Sequence, residues 1–162
     1  MKLIITDIDH FNIPVEGDCK IINPKGPIHP CIGCFGCWIK TPGKCVIHDG
    51  YEGTGIDGSK CTELILISRC CYGSLSPFVK TVLDRTISYV HPDFVIRKGE
   101  MHHKRRYDNV ISLSGYFYGE AITDAEKETA RNILEANADN LDGSLKSVHF
   151  YRTVKELEGI AL

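Results

Sequence analysis

A chain of 162 residues, 43% apolar and 25% charged, has the size and make-up of one globular domain. Its net charge of -2 carries no electrostatic footprint for nucleic acid or an anionic membrane, and the basic run 102–106 is too short to reverse that. No apolar run reaches the roughly 20 residues of a membrane span, and Asp7 and Asp9 interrupt the N-terminal stretch where an export signal would stay apolar. A cytoplasmic protein is expected. In a reducing compartment its eight cysteines point to metal binding or redox chemistry rather than to disulfide staples.

In chain order, LIITDI (3–8) and CKII (19–22) read as β-branched strands, the second stopped by the turn cluster 23–27. Only residues 9–18 separate them, with Pro14 and Gly17 inside, too few for a crossover helix. The second strand is therefore either parallel with a bare crossover or antiparallel. The parallel case leaves a patch of sheet without its helix, to be covered elsewhere, as in a dimer.

The loop CIGCFGCWIKTPGKC (31–45) follows, with Cys31, Cys34, Cys37 and Cys45 spaced C-x2-C-x2-C-x7-C. Three thiolates from one tight turn and a fourth further on suit an iron–sulfur cluster; zinc is also compatible, as is a loop whose thiols pack or respond to oxidants. Cys19 and Cys61 read as small buried hydrophobes, and Cys70-Cys71 as loop thiols.

ELILIS (63–68) is apolar almost throughout, as in a central parallel strand covered on both faces. Ser76-Pro77 opens a helix that runs to His91-Pro92, with Phe78, Val79, Val82, Leu83, Ile87 and Val90 on its inner side. Asp84-Arg85 reads as a structural ion pair or cap near its end. The His102-His103 pair is discounted as a metal site, because adjacent side chains rarely converge on one ion. A strand at 109–114 precedes the capping box Thr123–Glu126, which starts a helix facing inward with Ala130, Ile133, Leu134, Ala138 and Leu141. A last strand (147–151) and a short helix (154–157) complete a single α/β domain over 1–162.

Three blocks in this order, CIGCFGCWIKTPGKCVIHDG, YGSLSPFVKTVLDR and GEMHHKRRY, resemble the flavodoxin-like NAD(P)H-dependent FMN reductase family, which includes the iron–sulfur flavoproteins. The resemblance covers most of the chain from Asn23 onward. It implies a three-layer α/β fold with a five-stranded, mostly parallel sheet in 2-1-3-4-5 order, here without its first crossover helix. It implies FMN at the carboxyl ends of the strands, reduced by NAD(P)H, and usually a dimer, either a homodimer or a pairing with an intact relative. The family's phosphate loop after the first strand has no counterpart: Asp9-His10-Phe11-Asn12-Ile13-Pro14 stand there, and Asp9 would repel a phosphate.

The family's second flavin segment matches Ser68-Arg69-Cys70-Cys71-Tyr72-Gly73-Ser74, with Arg69 where the pattern has proline and Cys71 where it has tyrosine. The third matches Ser114-Gly115-Tyr116, and the block 99–107 resembles a family loop near the flavin edge or the dimer interface. The residues so implied at the flavin are Arg69, Cys71, Tyr72, Gly73, Ser74, Ser114, Gly115 and Tyr116. The cysteine loop is similar to the cluster motif of the iron–sulfur flavoproteins, which implies a 4Fe-4S centre on Cys31, Cys34, Cys37 and Cys45. Two other readings stand beside an FMN oxidoreductase with a degraded phosphate site. One is a cofactor-free member acting as a binding or assembly partner. The other is a protein holding iron–sulfur or zinc on its four-cysteine loop.

Overall fold

The computed structural model describes all residues, 1–162. The parallel strands β1 (Lys2–Thr6), β2 (Cys19–Ile22) and β3 (Glu63–Arg69) come first. Between the last two lie the cysteine loop with its one-turn helix α1 (Gly36–Ile39), and α2 (Thr54–Ser59). Helix α3 (Pro77–Arg85) leads through a 3-10 turn into a hairpin of β4 (Val90–Arg97) and β5 (Glu100–Arg105). Then follow β6 (Ser112–Tyr118), α4 (Asp124–Asn140), β7 (Ser144–Tyr151) and the one-turn α5 (Val154–Leu157).

The main sheet runs β2-β1-β3-β6-β7, parallel throughout. With the hairpin set aside, this is the expected 2-1-3-4-5 order. The direction of the second strand is settled: Lys2 pairs with Cys19 and Ile5 with Ile22 in parallel register, so the crossover at 7–18 is bare.

Two expectations at 76–107 need correction. The helix from Ser76 stops at Arg85, where the Thr86 hydroxyl donates to the Leu83 carbonyl (2.5 Å), and Val90 belongs to a strand. The block 99–107, expected as a loop, is mostly strand β5. Lys98 and Gly99 both take positive φ (50° and 83°), which closes the hairpin with the twist that flanking strands favour.

One face of the sheet packs Leu3, Ile5, Leu66, Leu113 and Phe117 against Val79 and Val82 of α3 and Ala130, Leu134 and Ala138 of α4. The Thr123–Glu126 capping box forms reciprocally, at 2.9 and 3.2 Å, and fixes where α4 begins. The other face has no helix longer than one turn. Ile4, Ile65 and Ile67 are covered by Ile13 from the crossover strap and by Leu157 and Leu162 from the tail. Strap and tail are clasped by backbone bonds, Glu16 N–H to the Leu162 carbonyl (2.8 Å) and Leu162 N–H to the Pro14 carbonyl (3.0 Å). The third layer is thus extended chain. Beyond it, the half-exposed Tyr116 stacks on the exposed His149 and on the half-exposed Tyr151. No helix is long and apolar enough to cross a membrane.

Candidate functional site

In an open parallel sheet, ligands bind outside the carboxyl ends of the strands where the strand order reverses. Here that crevice lies between β1 and β3. The Asp7 carboxylate fills it, accepting the Arg69 backbone N–H (3.0 Å) on one oxygen and the Tyr118 hydroxyl (3.0 Å) on the other. Burial, and then this carboxylate, hold the Tyr118 hydroxyl protonated well above the ordinary tyrosine range. A phosphate here would meet a negative charge, a donor already taken and no helix N-terminus. The residues at the switch point do not fit the phosphate of FMN. The sequence directs attention to Asp9, but Asp7 sits at the strand end.

Beside the switch point lies an open cleft of about 640 Å³ at the ends of β3, β6 and β7. Arg69, Cys70, Tyr118, Glu120 and Arg152 are among its lining residues. Neither guanidinium forms an ion pair. Arg152 is invisible to a family-pattern reading because it follows the last strand.

The segment 71–74 forms a tight turn: Cys71 and Ser74 exchange two backbone bonds of 2.9 Å, and Tyr72 and Gly73 take φ of 53° and 77°. Gly73 is pressed on α4, where an added Cβ would lie 2.7 Å from Thr129 Cβ and 2.9 Å from the Glu126 carbonyl. Tyr72 stands on the tip, 94% exposed. Ser114, Gly115 and Tyr116 are not in a loop at the sheet's end. They lie inside β6, within one residue of its middle and short of Tyr118. Gly115 serves packing, since a Cβ there would run into Leu134 Cδ1 at 2.1 Å. Ser114 bonds Ser147 on β7 (3.3 Å).

The four cysteines do come together. Cys31, Cys34, Cys37 and Cys45 line one apolar cavity of about 220 Å³ with Ile32, Phe35, Trp38 and Ile47. Burial, then Cys45, Cys31 and Cys34, raise the Cys37 pKa, so all three other sulfurs are near enough to oppose its ionisation. All eight cysteines are free thiols. Trp38 pins the loop to the hairpin, donating Nε1–H to the Val90 carbonyl (2.9 Å) and packing its ring at a tilt against Phe35 and His103. No three His, Cys, Asp or Glu side chains converge closely enough for a single metal ion, which disfavours zinc. A four-iron cube is different: its thiolates ligate separate corners and stand further apart than the ligands of one tetrahedral ion. The donor set and the cavity fit that group.

The loop hangs on Arg85, whose side chain is fully buried. It pairs with Asp49 (2.5 Å) and donates to the carbonyls of His29 (3.3 Å) and Ile47 (3.1 Å). Burial alone would raise the Asp49 pKa. The Arg85 bond and the N–H groups of His29 and Tyr51 outweigh it and hold the carboxyl down at about 2. The Asp84-Arg85 expectation is thus half met: Arg85 is structural, with Asp49 as its partner, while Asp84 pairs with Lys80 (2.6 Å).

No protein-family model matches this sequence, and no curated protein matches it. Solved structures do. The Trp repressor binding protein from Bacillus subtilis superposes with a TM-score of 0.55 at 12% identity, over 94% of this chain and 88% of that one. General stress protein 14 from Treponema denticola, solved in complex with FMN, gives 0.51 at 11% identity, over 97% of this chain and 91% of that one. With the sheet order, these likenesses show that the chain has the flavodoxin-like fold.

Proposed function

We propose that the protein is an electron-transfer protein of the flavodoxin-like fold whose redox centre is a 4Fe-4S cluster on Cys31, Cys34, Cys37 and Cys45. One observation carries this: four thiols ring a single apolar cavity, on a loop held by a buried ion pair. Such a cluster takes up and releases one electron at a time. The chain supplies four thiolates, an apolar wall of Ile32, Phe35, Trp38 and Ile47, and an anchor that keeps the loop in place. The test is anaerobic reconstitution with ferrous iron and sulfide, in wild type and Cys34→Ser. Broad brown absorption in wild type, weakened or lost in the variant, supports the reading. Equal iron in both removes Cys34 from the site.

A flavin is the second reading, favoured by the cleft and its two unpaired guanidiniums. General stress protein 14 contains FMN in the same fold. In this chain the phosphate would rest on Arg69 and Arg152, one strand away from the Asp7-filled switch point, with Cys71, Tyr72, Gly73 and Ser74 at the ring. NAD(P)H would be the hydride donor. Quenching of FMN fluorescence on titration, weakened in Tyr72→Ala, supports this reading. Fluorescence that does not change removes it.

A further inference from the structure

We propose that Arg85 is the outer donor of the cluster site, its Nε–H aimed at the sulfur of Cys45 once that sulfur ligates iron. This rests on the cluster reading above and goes beyond it in naming a residue that no cysteine spacing could reveal. Arg85 closes α3 with its side chain wholly out of solvent. A guanidinium has five N–H groups to satisfy. Three of the five have acceptors: Nη1 serves Asp49 and the His29 carbonyl, and Nη2 the Ile47 carbonyl with one hydrogen to spare, while Nε alone among these nitrogens is buried with no partner at all. Ser88 Oγ and Asn109 Oδ1 are also without partners, but both belong to neutral groups, whereas Arg85 is charged.

The Cys45 sulfur is near enough to this guanidinium to favour its charge, though no hydrogen bond joins them with the thiol protonated. The acceptors of its guanidinium also belong to the stretch that bears the thiols: His29 precedes Cys31 by two residues, and Ile47 and Asp49 follow Cys45 by two and four. A protonated thiol is a weak acceptor, and a buried donor left unmet keeps its full desolvation penalty. A metal-bound thiolate is an anion and a strong acceptor. The open N–H therefore has its partner only in the loaded protein. Hydrogen bonds to ligand sulfurs are one of the levers that set the potential of an iron–sulfur cluster.

The experiment uses the full chain reconstituted anaerobically with ferrous iron and sulfide, grown with arginine carrying ¹⁵N only in its guanidino group. Pulsed EPR of the reduced protein is expected to show coupling from guanidino nitrogen, absent from Arg85→Lys. That variant keeps the charge beside Asp49 but loses Nε–H, and its midpoint potential is expected to shift downward at equal iron content. A loaded wild type with no ¹⁵N coupling overturns the assignment without any variant having to fold. So does an unchanged potential in a loaded Arg85→Lys. A chain that takes up no iron overturns the cluster reading itself, and the Arg85 assignment with it.

Discussion

Asp49→Asn isolates what holds the cysteine loop in place. The substitution keeps the size of the side chain but leaves the Arg85 charge, its side chain fully buried, facing a neutral amide. Removing one partner of a buried pair costs about 3–5 kcal/mol. A second route gives a similar figure. Asp49 is lowered from 3.8 to about 2, and at ~1.4 kcal/mol per pKa unit that linkage is worth roughly 2–2.5 kcal/mol. The second figure is smaller because it counts the carboxylate's charge and not the stranded arginine.

For a domain of this size each kcal/mol moves Tm by about 2–4 °C, so thermal unfolding by circular dichroism should shift down by roughly 6–20 °C. The sign with pH follows from the depressed carboxyl. The contribution is complete above the unfolded value near 4, and it is lost as pH falls toward about 2. Wild type should therefore converge on the variant between about pH 4 and pH 2. A Tm drop of less than about 2 °C at pH 7, or a gap that does not narrow in acid, would refute the role of this pair.

Gly73→Ala forces a side chain into a left-handed φ, at about 1–2 kcal/mol, and presses it on Thr129 and the Glu126 carbonyl. Tm should fall by at least about 2–4 °C, and an unchanged Tm would show that α4 yields there freely. Asp7→Ser should bind FMN about fourfold more tightly than wild type or better. With the phosphate one strand spacing, roughly 5 Å, from Asp7, unit charges repel by ~0.8 kcal/mol even in water. Equal affinity by fluorescence quenching would show that the missing helix, and not Asp7, limits phosphate binding.

Much of the fold is legible in the residues. The apolar run at 63–68, the Thr123–Glu126 box and the ten-residue gap before CKII each dictate one local answer: a covered strand, a helix start and a connection without a helix, whose direction only the register shows. The hairpin is hidden because Pro92 reads as a stop and Lys98, Lys104, Arg105 and Arg106 read as a loop. Their charges are matched in part from elsewhere in the chain, with Arg105 on Asp142 and Lys98 on Asp139. The end of β6 is misread at Ser114 because the strand runs on through Phe117 and Tyr118, where aromatic residues suit a strand as well as a ligand loop. The four cysteines announce themselves by spacing. Asp7, Asp49 and Arg152 do not, since each owes its part to a partner or a cleft more than thirty residues away in the chain, and the open N–H of Arg85 exists only as geometry.

The central claim is that the cysteine loop holds the redox centre, and counting iron, acid-labile sulfide, zinc and flavin in protein isolated without oxygen tests it most directly. The account predicts four iron and four sulfide per chain, with no stoichiometric zinc. One zinc per chain, or a loop without iron that stays colourless after reconstitution, would contradict it.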